Sequence, residues 1–256
     1  MPESRSFLDF AGRWVIVTGA SSGLGRAIAG ELAQWGARVV LIGRNEERLA
    51  ETAASLGSAE HRVLALDLAK HELILPEIQR IRADVGPVYG MCYSAGIVET
   101  RPLAATTVDI MRSQLDVNLV AAVEIARVVA RRDVLTPDGG SLLFVSSVYG
   151  HVGMPGQIGY CGTKGALAAV ARAMAVELAR RNVRVNCISP GLVFTEMTDR
   201  ALGVLSPDHV ERLKAAHPLG AGKPEDVARA AAFMLAPSSR WITGADLVVD
   251  GGFTAQ

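Results

Sequence analysis

Trp14-Val15-Ile16-Val17-Thr18-Gly19-Ala20-Ser21-Ser22-Gly23-Leu24-Gly25-Arg26-Ala27-Ile28-Ala29 decides the fold. Trp14–Val17 is a short apolar run of β-type residues, and Leu24–Trp35 continues with helical, amphipathic spacing. Between them lies a turn rich in glycine and serine. A strand that ends in such a turn and feeds a helix start is an anion site, because free backbone N–H groups and the helix dipole converge there. Glycine permits the tight turn and lets a phosphate approach the backbone closely. Gly19, Ser21, Ser22, Gly23, Leu24 and Gly25 are therefore candidate nucleotide contacts. A plain structural turn would need fewer glycines.

The same alternation runs along the chain. Further β-type runs fall at Arg38–Ile42, Arg62–Leu66, Val88–Cys92, Ser141–Val145, Arg184–Ile188 and Leu247–Val249. Helical stretches fall at Glu46–Leu56, Glu72–Arg82, Thr107–Arg131, Ile158–Arg181 and Pro224–Leu235. Alternating strands and helices predict a parallel sheet covered on both faces. Right-handed crossovers make it doubly wound and Rossmann-like, with about seven strands. No linker, repeat or low-complexity tract divides residues 1–256, so the chain reads as a single α/β domain. Met1–Phe10 carries no pattern and is expected to pack loosely. Residues 191–222 follow a strand end and delay the next long helix; Ser206-Pro207-Asp208 within them reads as a helix start. That place suits a segment covering a ligand.

The end of the second strand bears on the cofactor. An acid about 20 residues beyond the glycine turn would bind the ribose 2′-hydroxyl of NAD. The sequence there is Gly43-Arg44-Asn45. Gly43 leaves room, and Arg44 supplies a planar cation suited to a 2′-phosphate. Glu46 and Glu47 suit the next helix's first turn instead. The expected cofactor is NADP(H) in preference to NAD(H).

Composition excludes other classes. The chain carries 26 basic and 26 acidic residues, for zero formal charge. That argues against nucleic acid or an anionic membrane as the main partner. Apolar runs are too short to span a bilayer, and no signal-like segment opens the chain, so a cytoplasmic setting is expected. Cys92, Cys161 and Cys187 have no metal-type spacing; they read as reduced thiols, with no metal expected.

Tyr160 and Lys164 stand four residues apart at the start of a helical stretch, which puts them on one face. A neighbouring cation favours a phenolate, so the lysine should lower the tyrosine's pKa and make it a general acid/base for a carbonyl or alcohol. Alone, the pair also fits a surface tyrosine beside a solvated lysine.

With the Gly-x-x-x-Gly-x-Gly turn, this pair resembles the short-chain dehydrogenase/reductase family. Ser146-Ser147 precedes Tyr160 at the family's interval, and Asp116-Val117-Asn118-Leu119 is similar to its asparagine segment. Asp67-Leu68 stands where the family keeps an aspartate near adenine. Ser189-Pro190-Gly191, Ile242-Thr243-Gly244 and Val249-Asp250-Gly251-Gly252 resemble its later segments. Tyr93-Ser94-Ala95-Gly96 departs from the usual Asn-Asn-Ala-Gly; Ala95-Gly96 still allows a close backbone, but Ser94 lacks the amide's donor and acceptor set. The resemblance implies hydride transfer between a nicotinamide and a carbonyl carbon. It assigns Tyr160 as acid/base, Ser147 to hold the substrate oxygen, Lys164 to act on Tyr160 and the nicotinamide ribose, and Asn118 to hold a water near Lys164. Alternatively, Asn118 satisfies backbone groups inside a helix. Pro190, Gly191, Val193 and Thr195 lie in a segment similar to the one that touches the carboxamide.

Strand alternation lets only one of Ser146 and Ser147 face Tyr160, and the family interval selects Ser147. Candidate pocket residues are Tyr149, His151, Met154, Gln157, Leu192, Val193 and Met197, suited to a medium-sized ketone that is not highly charged. The pattern looks most like the 3-oxoacyl-carrier-protein reductase branch, so an acyl carrier protein is a candidate partner. Arg180, Arg181 and Arg184 could attract it, or could serve a helix C-terminus. A sugar, polyol or cyclic ketone dehydrogenase is a second reading, and a nucleotide-binding sensor or scaffold without turnover is a third. The second long helix is apolar nearly all round, which resembles the family's paired-helix interface and predicts a homotetramer.

Overall fold

The computed structural model describes residues 7–57, 60–203 and 206–256. Its centre is a seven-stranded sheet: β1 (Trp14–Thr18), β2 (Arg38–Gly43), β3 (Arg62–Ala65), β4 (Gly90–Tyr93), β5 (Gly140–Val145), β6 (Val183–Pro190) and β7 (Asp246–Val249). The spatial order is β3-β2-β1-β4-β5-β6-β7, and every pairing is parallel. Sheets of this kind are covered on both faces, so their strands read as continuous apolar runs. Here β1 is buried along its whole length.

Alternation along each strand feeds two cores. Trp14 and Ile16 join one core with Val40, Ile42, Ile78, Ile125 and Leu167. Val15 and Val17 join the other with Val39, Leu41, Ile28, Leu32, Val227 and Ala231. The first core lies under α3 (Ile74–Val85), α5 (Ala121–Val129) and α6 (Ile158–Leu178); the second lies under α1 (Gly23–Gln34) and α9 (Pro224–Leu235). Strand order reverses between β1 and β4. A crevice therefore opens beyond the carboxyl ends of these strands.

Several expectations needed correction. The helix expected over Thr107–Arg131 is broken into α4 (Val108–Leu115), a π turn at Asp116–Val120, and α5. Asn118 sits in the widened turn, and apolar periodicity does not register one extra residue. The fourth strand starts at Gly90, because Val88 makes only an isolated bridge to Leu135. The third helix starts at Ile74, after a short 3₁₀ turn at His71–Leu73. Phe10 is not loosely packed: it is fully buried, edge-on to Tyr89, and Phe7 stacks on Phe233. Residues 1–6 of that segment lie outside the described residues. Beyond β6 come α7 (Glu196–Leu202) and α8 (Pro207–Ala215); α8 begins where Ser206-Pro207-Asp208 placed it, and α7 was not foreseen.

Candidate active site

The glycine turn between β1 and α1 leaves its backbone open. Gly19 has φ +65°, and a Cβ there would come 2.9 Å from the Ala95 nitrogen. A Cβ on Gly25 would come 2.3 Å from the Gly19 carbonyl. Any side chain at these places would push the turn off β4 or out of shape. Ser22 N-caps α1 without a side-chain cap hydrogen bond, and the first turn carries no acid. Its N–H groups and dipole are thus available to an anion. The Thr18 hydroxyl accepts from the Ser94 and Ala95 nitrogens at 3.1 Å, tying the β1 and β4 turns together.

A cleft of about 280 Å³ runs from this turn across the switch point. The glycine-turn residues, Arg44, Asp67, Leu68, Ser94, Ala95, Gly96, Tyr160, Lys164, Pro190, Gly191, Val193 and Thr195 all line it. Gly43 and Met197 line it too, and so do Leu66, Ile97, Val117, Val145 and Thr198, which were not foreseen. Asn118 is fully buried behind the wall.

Arg44 is exposed on the cleft wall, and among the described residues it has no ion-pair partner. The neighbouring arginines are engaged. Arg26 donates to the Ser21 carbonyl at 2.8 Å and pairs with Glu51 at 3.5 Å. Arg48 pairs with Glu196 of α7. A Cβ on Gly43 would lie 3.3 Å from Leu49 and 3.5 Å from the Ser21 hydroxyl. A side chain at position 43 would therefore crowd Leu49 and the Ser21 hydroxyl.

The start of α6 meets the end of β5. The Ser146 hydroxyl donates to the Lys164 carbonyl at 2.8 Å, so it anchors the helix backbone. Ser147 accepts from the Tyr149 nitrogen at 3.2 Å and lines the cleft together with Tyr160. Lys164 is 4 % exposed, and its Nζ donates to the Val145 carbonyl at 2.7 Å. That Nζ stands 5.5 Å from the Tyr160 ring centroid, over the ring. Burial governs both groups: it pushes the Tyr160 phenol up to about 12, against the lowering effect of the Ser147 hydroxyl, and the Lys164 ammonium down to about 8. Lys164 is not among the causes of the Tyr160 shift in this geometry. Desolvation is the largest cause of that shift, while the Lys164 ammonium faces the ring. The Asn118 amide is occupied on both sides: Oδ1 accepts from the Ile97 nitrogen at 2.8 Å, and Nδ2 donates to the Ile97 carbonyl at 2.9 Å and the Thr163 hydroxyl at 3.2 Å. A Cβ on Gly96 would lie 3.4 Å from Asn118 Oδ1 and 3.6 Å from Lys164 Nζ.

A second lobe, about 120 Å³, opens from the cleft at Ser147 and Tyr160. Tyr149, Met154, Gln157, Leu192, Val193 and Met197 line it as expected. His151 does not; it turns away to Asp246, at 2.9 Å. Val98, Thr198, Leu213, His217 and Phe253 were missed. They come from distant points of the chain, and none stands in a motif. His217 accepts from the Leu192 nitrogen at 3.0 Å, bonds the Leu213 carbonyl through Nδ1 at 2.8 Å, and stacks on Phe253. Arg184 also needs correction as a docking residue. It is buried, and its guanidinium donates to the carbonyls of Met234, Leu235 and Ala236 at 2.8–3.1 Å, closing the C-terminus of α9. Among the described residues no cluster of side chains could hold a metal ion, and no helix is long and apolar enough to cross a membrane.

A family model described as Enoyl-(Acyl carrier protein) reductase matches residues 19–254. The chain belongs to the short-chain dehydrogenase/reductase family. It is 37% identical over 237 residues to the 3-oxoacyl-[acyl-carrier-protein] reductase of Bos taurus, covering 92% of this chain and 95% of the relative. A Sinorhizobium meliloti 1021 structure, provisionally described as a short-chain alcohol dehydrogenase, matches with TM-score 0.92 and 31% identity, covering 98% of this chain and 100% of that one. A Beutenbergia cavernae structure, provisionally described as an NAD(P)-dependent gluconate 5-dehydrogenase with bound NADP at low occupancy, matches with TM-score 0.90 and 30% identity, covering 98% and 100%. This short-chain dehydrogenase/reductase is therefore an oxidoreductase of carbonyl or alcohol substrates, using a nicotinamide cofactor. The open glycine cradle and the bare backbone at Gly96 fit such a dinucleotide.

Proposed function

We propose that the protein is an NADP(H)-dependent reductase of uncharged ketones, with Ser147, Tyr160 and Lys164 as its catalytic set. The observation that carries this reading is the place of the Ser147 and Tyr160 hydroxyls, where the cofactor cleft meets the second lobe. When bound, the nicotinamide supplies or accepts the hydride. Tyr160, with its pKa pushed up to about 12, holds its proton near neutral pH and hands it to the oxygen that gains charge. Ser147 hydrogen-bonds the same oxygen. Lys164 sits behind the ring and tunes the proton transfer. Asn118 is a positioning residue: its amide fixes Ile97, beside Gly96 at the lysine.

Free Arg44 supports NADP(H), through a charge-assisted contact to the 2′-phosphate. The glycine turn would carry the pyrophosphate, Asp67 and Leu68 the adenine end, and Gly191, Val193 and Thr195 the nicotinamide end. Helices α7 and α8 would form the substrate-covering segment within residues 191–222. The second lobe has no arginine or lysine, which supports an uncharged substrate. A 3-oxoacyl thioester on an acyl carrier protein fits this description, in line with the bovine relative's name; a polyol or keto sugar fits it as well. Ala169, Ala173 and Val176 are exposed on α6, which supports pairing of this helix with a second copy within a homotetramer. We place the protein in the cytoplasm.

The test is consumption of NADPH and NADH with an acyl-carrier thioester mimic, a diketone, a cyclic ketone and a keto sugar. The reading predicts turnover of at least one ketone, faster with NADPH. No turnover with either cofactor would favour a nucleotide-binding sensor or scaffold.

A further inference from the structure

The π turn that carries Asn118 is held from outside by two side chains that the catalytic set does not use. Tyr93 ends β4 and is fully buried. Its phenol donates to the Val117 carbonyl at 2.5 Å. That carbonyl belongs to the peptide group that carries the Asn118 nitrogen. His71, in the 3₁₀ turn before α3, bonds the Asp116 carbonyl through Nε2 at 3.0 Å. A carbonyl only accepts, so both side chains donate. Burial pushes the Tyr93 phenol up, so it keeps its proton.

Both bonds reach the place where the helix ladder changes step. The Ala121 nitrogen donates to the Asp116 carbonyl, five residues back. Single π turns of this kind are rare inside α-helices and occur frequently at functional sites. Tyr93 also stands at the first position of the segment that departs from the usual Asn-Asn-Ala-Gly. A phenol carries its hydroxyl farther from the backbone than an asparagine carries its amide. That reach takes it from the end of the sheet to the helix.

Asn118 passes the constraint on. Its amide holds both the nitrogen and the carbonyl of Ile97, next to Gly96, and donates to the Thr163 hydroxyl. Thr163 in turn donates to the Tyr160 carbonyl at 2.9 Å and directly precedes Lys164. Asn118 and Thr163 are both buried, so water does not compete for these bonds.

We infer that Tyr93 and His71 are positioning residues. They set the π turn, and through Asn118 they hold Ile97 and the start of α6 in place. The consequence for turnover rests on the reductase reading; the consequence for the backbone does not. If the phenol only filled the core, losing its oxygen would lower stability but leave Ile97 and the turnover of the folded protein unaltered.

The test uses the full chain. Amide hydrogen exchange, read by mass spectrometry, compares the peptide that holds Ile97 with one from β5. Tyr93→Phe keeps the ring and removes the hydroxyl. His71→Ala removes the second donor, and His71→Gln puts an amide N–H in its place. Relative to β5, exchange at Ile97 should rise roughly threefold to tenfold in Tyr93→Phe and in His71→Ala, and His71→Gln should return it toward the parent. Exchange at Ile97 that moves no more than β5 in both variants overturns the inference. With a ketone that the parent turns over, Tyr93→Phe should lower kcat by roughly threefold to tenfold with KM within about twofold, and an Asn118→Ala background should erase that loss. Losses that multiply in the double variant contradict the inference. A parent without turnover whose Ile97 exchange responds as stated sinks only the reductase reading.

Discussion

Lys164→Met should make the folded protein more stable at neutral pH while removing a residue proposed to act in catalysis. Lys164 is 4 % exposed, and burial lowers its pKa to about 8 from the ordinary 10.5. Between those values the unfolded chain binds a proton that the folded chain does not. The parent's stability therefore rises with pH across this window. Below about pH 8 the folded state bears the full cost of holding the ammonium in a dry site. At roughly 1.4 kcal/mol per pKa unit, that cost is about 3 kcal/mol. Methionine fills similar volume without charge but forfeits the bond to the Val145 carbonyl, worth about 1 kcal/mol. The net expectation is a gain of about 2 kcal/mol at pH 7. By pH 9.5 most of the lysine's cost has gone, and the advantage should shrink by roughly 2 kcal/mol. Urea unfolding of parent and variant at both pH values measures this. A variant less stable than the parent at pH 7, with a difference that does not move with pH, would refute the reasoning.

Three further outcomes follow from the same geometry. Arg44→Ala should cost about ten- to a hundredfold in NADPH affinity, the worth of one charge-assisted contact, and leave NADH affinity within about twofold; an unaltered NADPH/NADH ratio would make Arg44 a solvated strand-end charge. Arg184→Ala should destabilise by about 2–4 kcal/mol in urea, because the Ala236 carbonyl and the end of α9 lose their cation; a change under about 0.5 kcal/mol would contradict this. Ala173→Arg, on the exposed face of α6, should release smaller species in light scattering, and a parent that is monomeric at micromolar concentration would end the tetramer proposal.

The fold was legible because the inner strands β1, β4, β5 and β6 are buried along their length and read as largely apolar runs between helical stretches. The cofactor cleft was legible because its residues sit in local motifs at strand ends, where the sequence punctuates itself with glycine. Three things were not. The π turn at Asp116–Val120 adds one residue to a helix and leaves its apolar pattern nearly intact. The fate of Arg184 depends on α9 lying across β6, a contact some fifty residues away in sequence. The second lobe draws Val98, Leu213 and Phe253 from separate elements, and only the folded chain brings them to Gln157. The burial around Tyr160 was hidden for a related reason. Four-residue spacing places Lys164 near the ring, but neither the burial of both groups nor the bond to Val145 can be read from spacing.

The central claim is that the Tyr160 hydroxyl moves the proton. Tyr160→Phe removes that single oxygen and keeps the ring under Lys164. The decisive measurement is the kcat of this variant with the best ketone of the panel, beside its NADPH dissociation constant. The account predicts a loss of at least about a hundredfold in kcat, the scale of a positioned general acid, with NADPH affinity within about threefold of the parent. A kcat within a few-fold of the parent would contradict it.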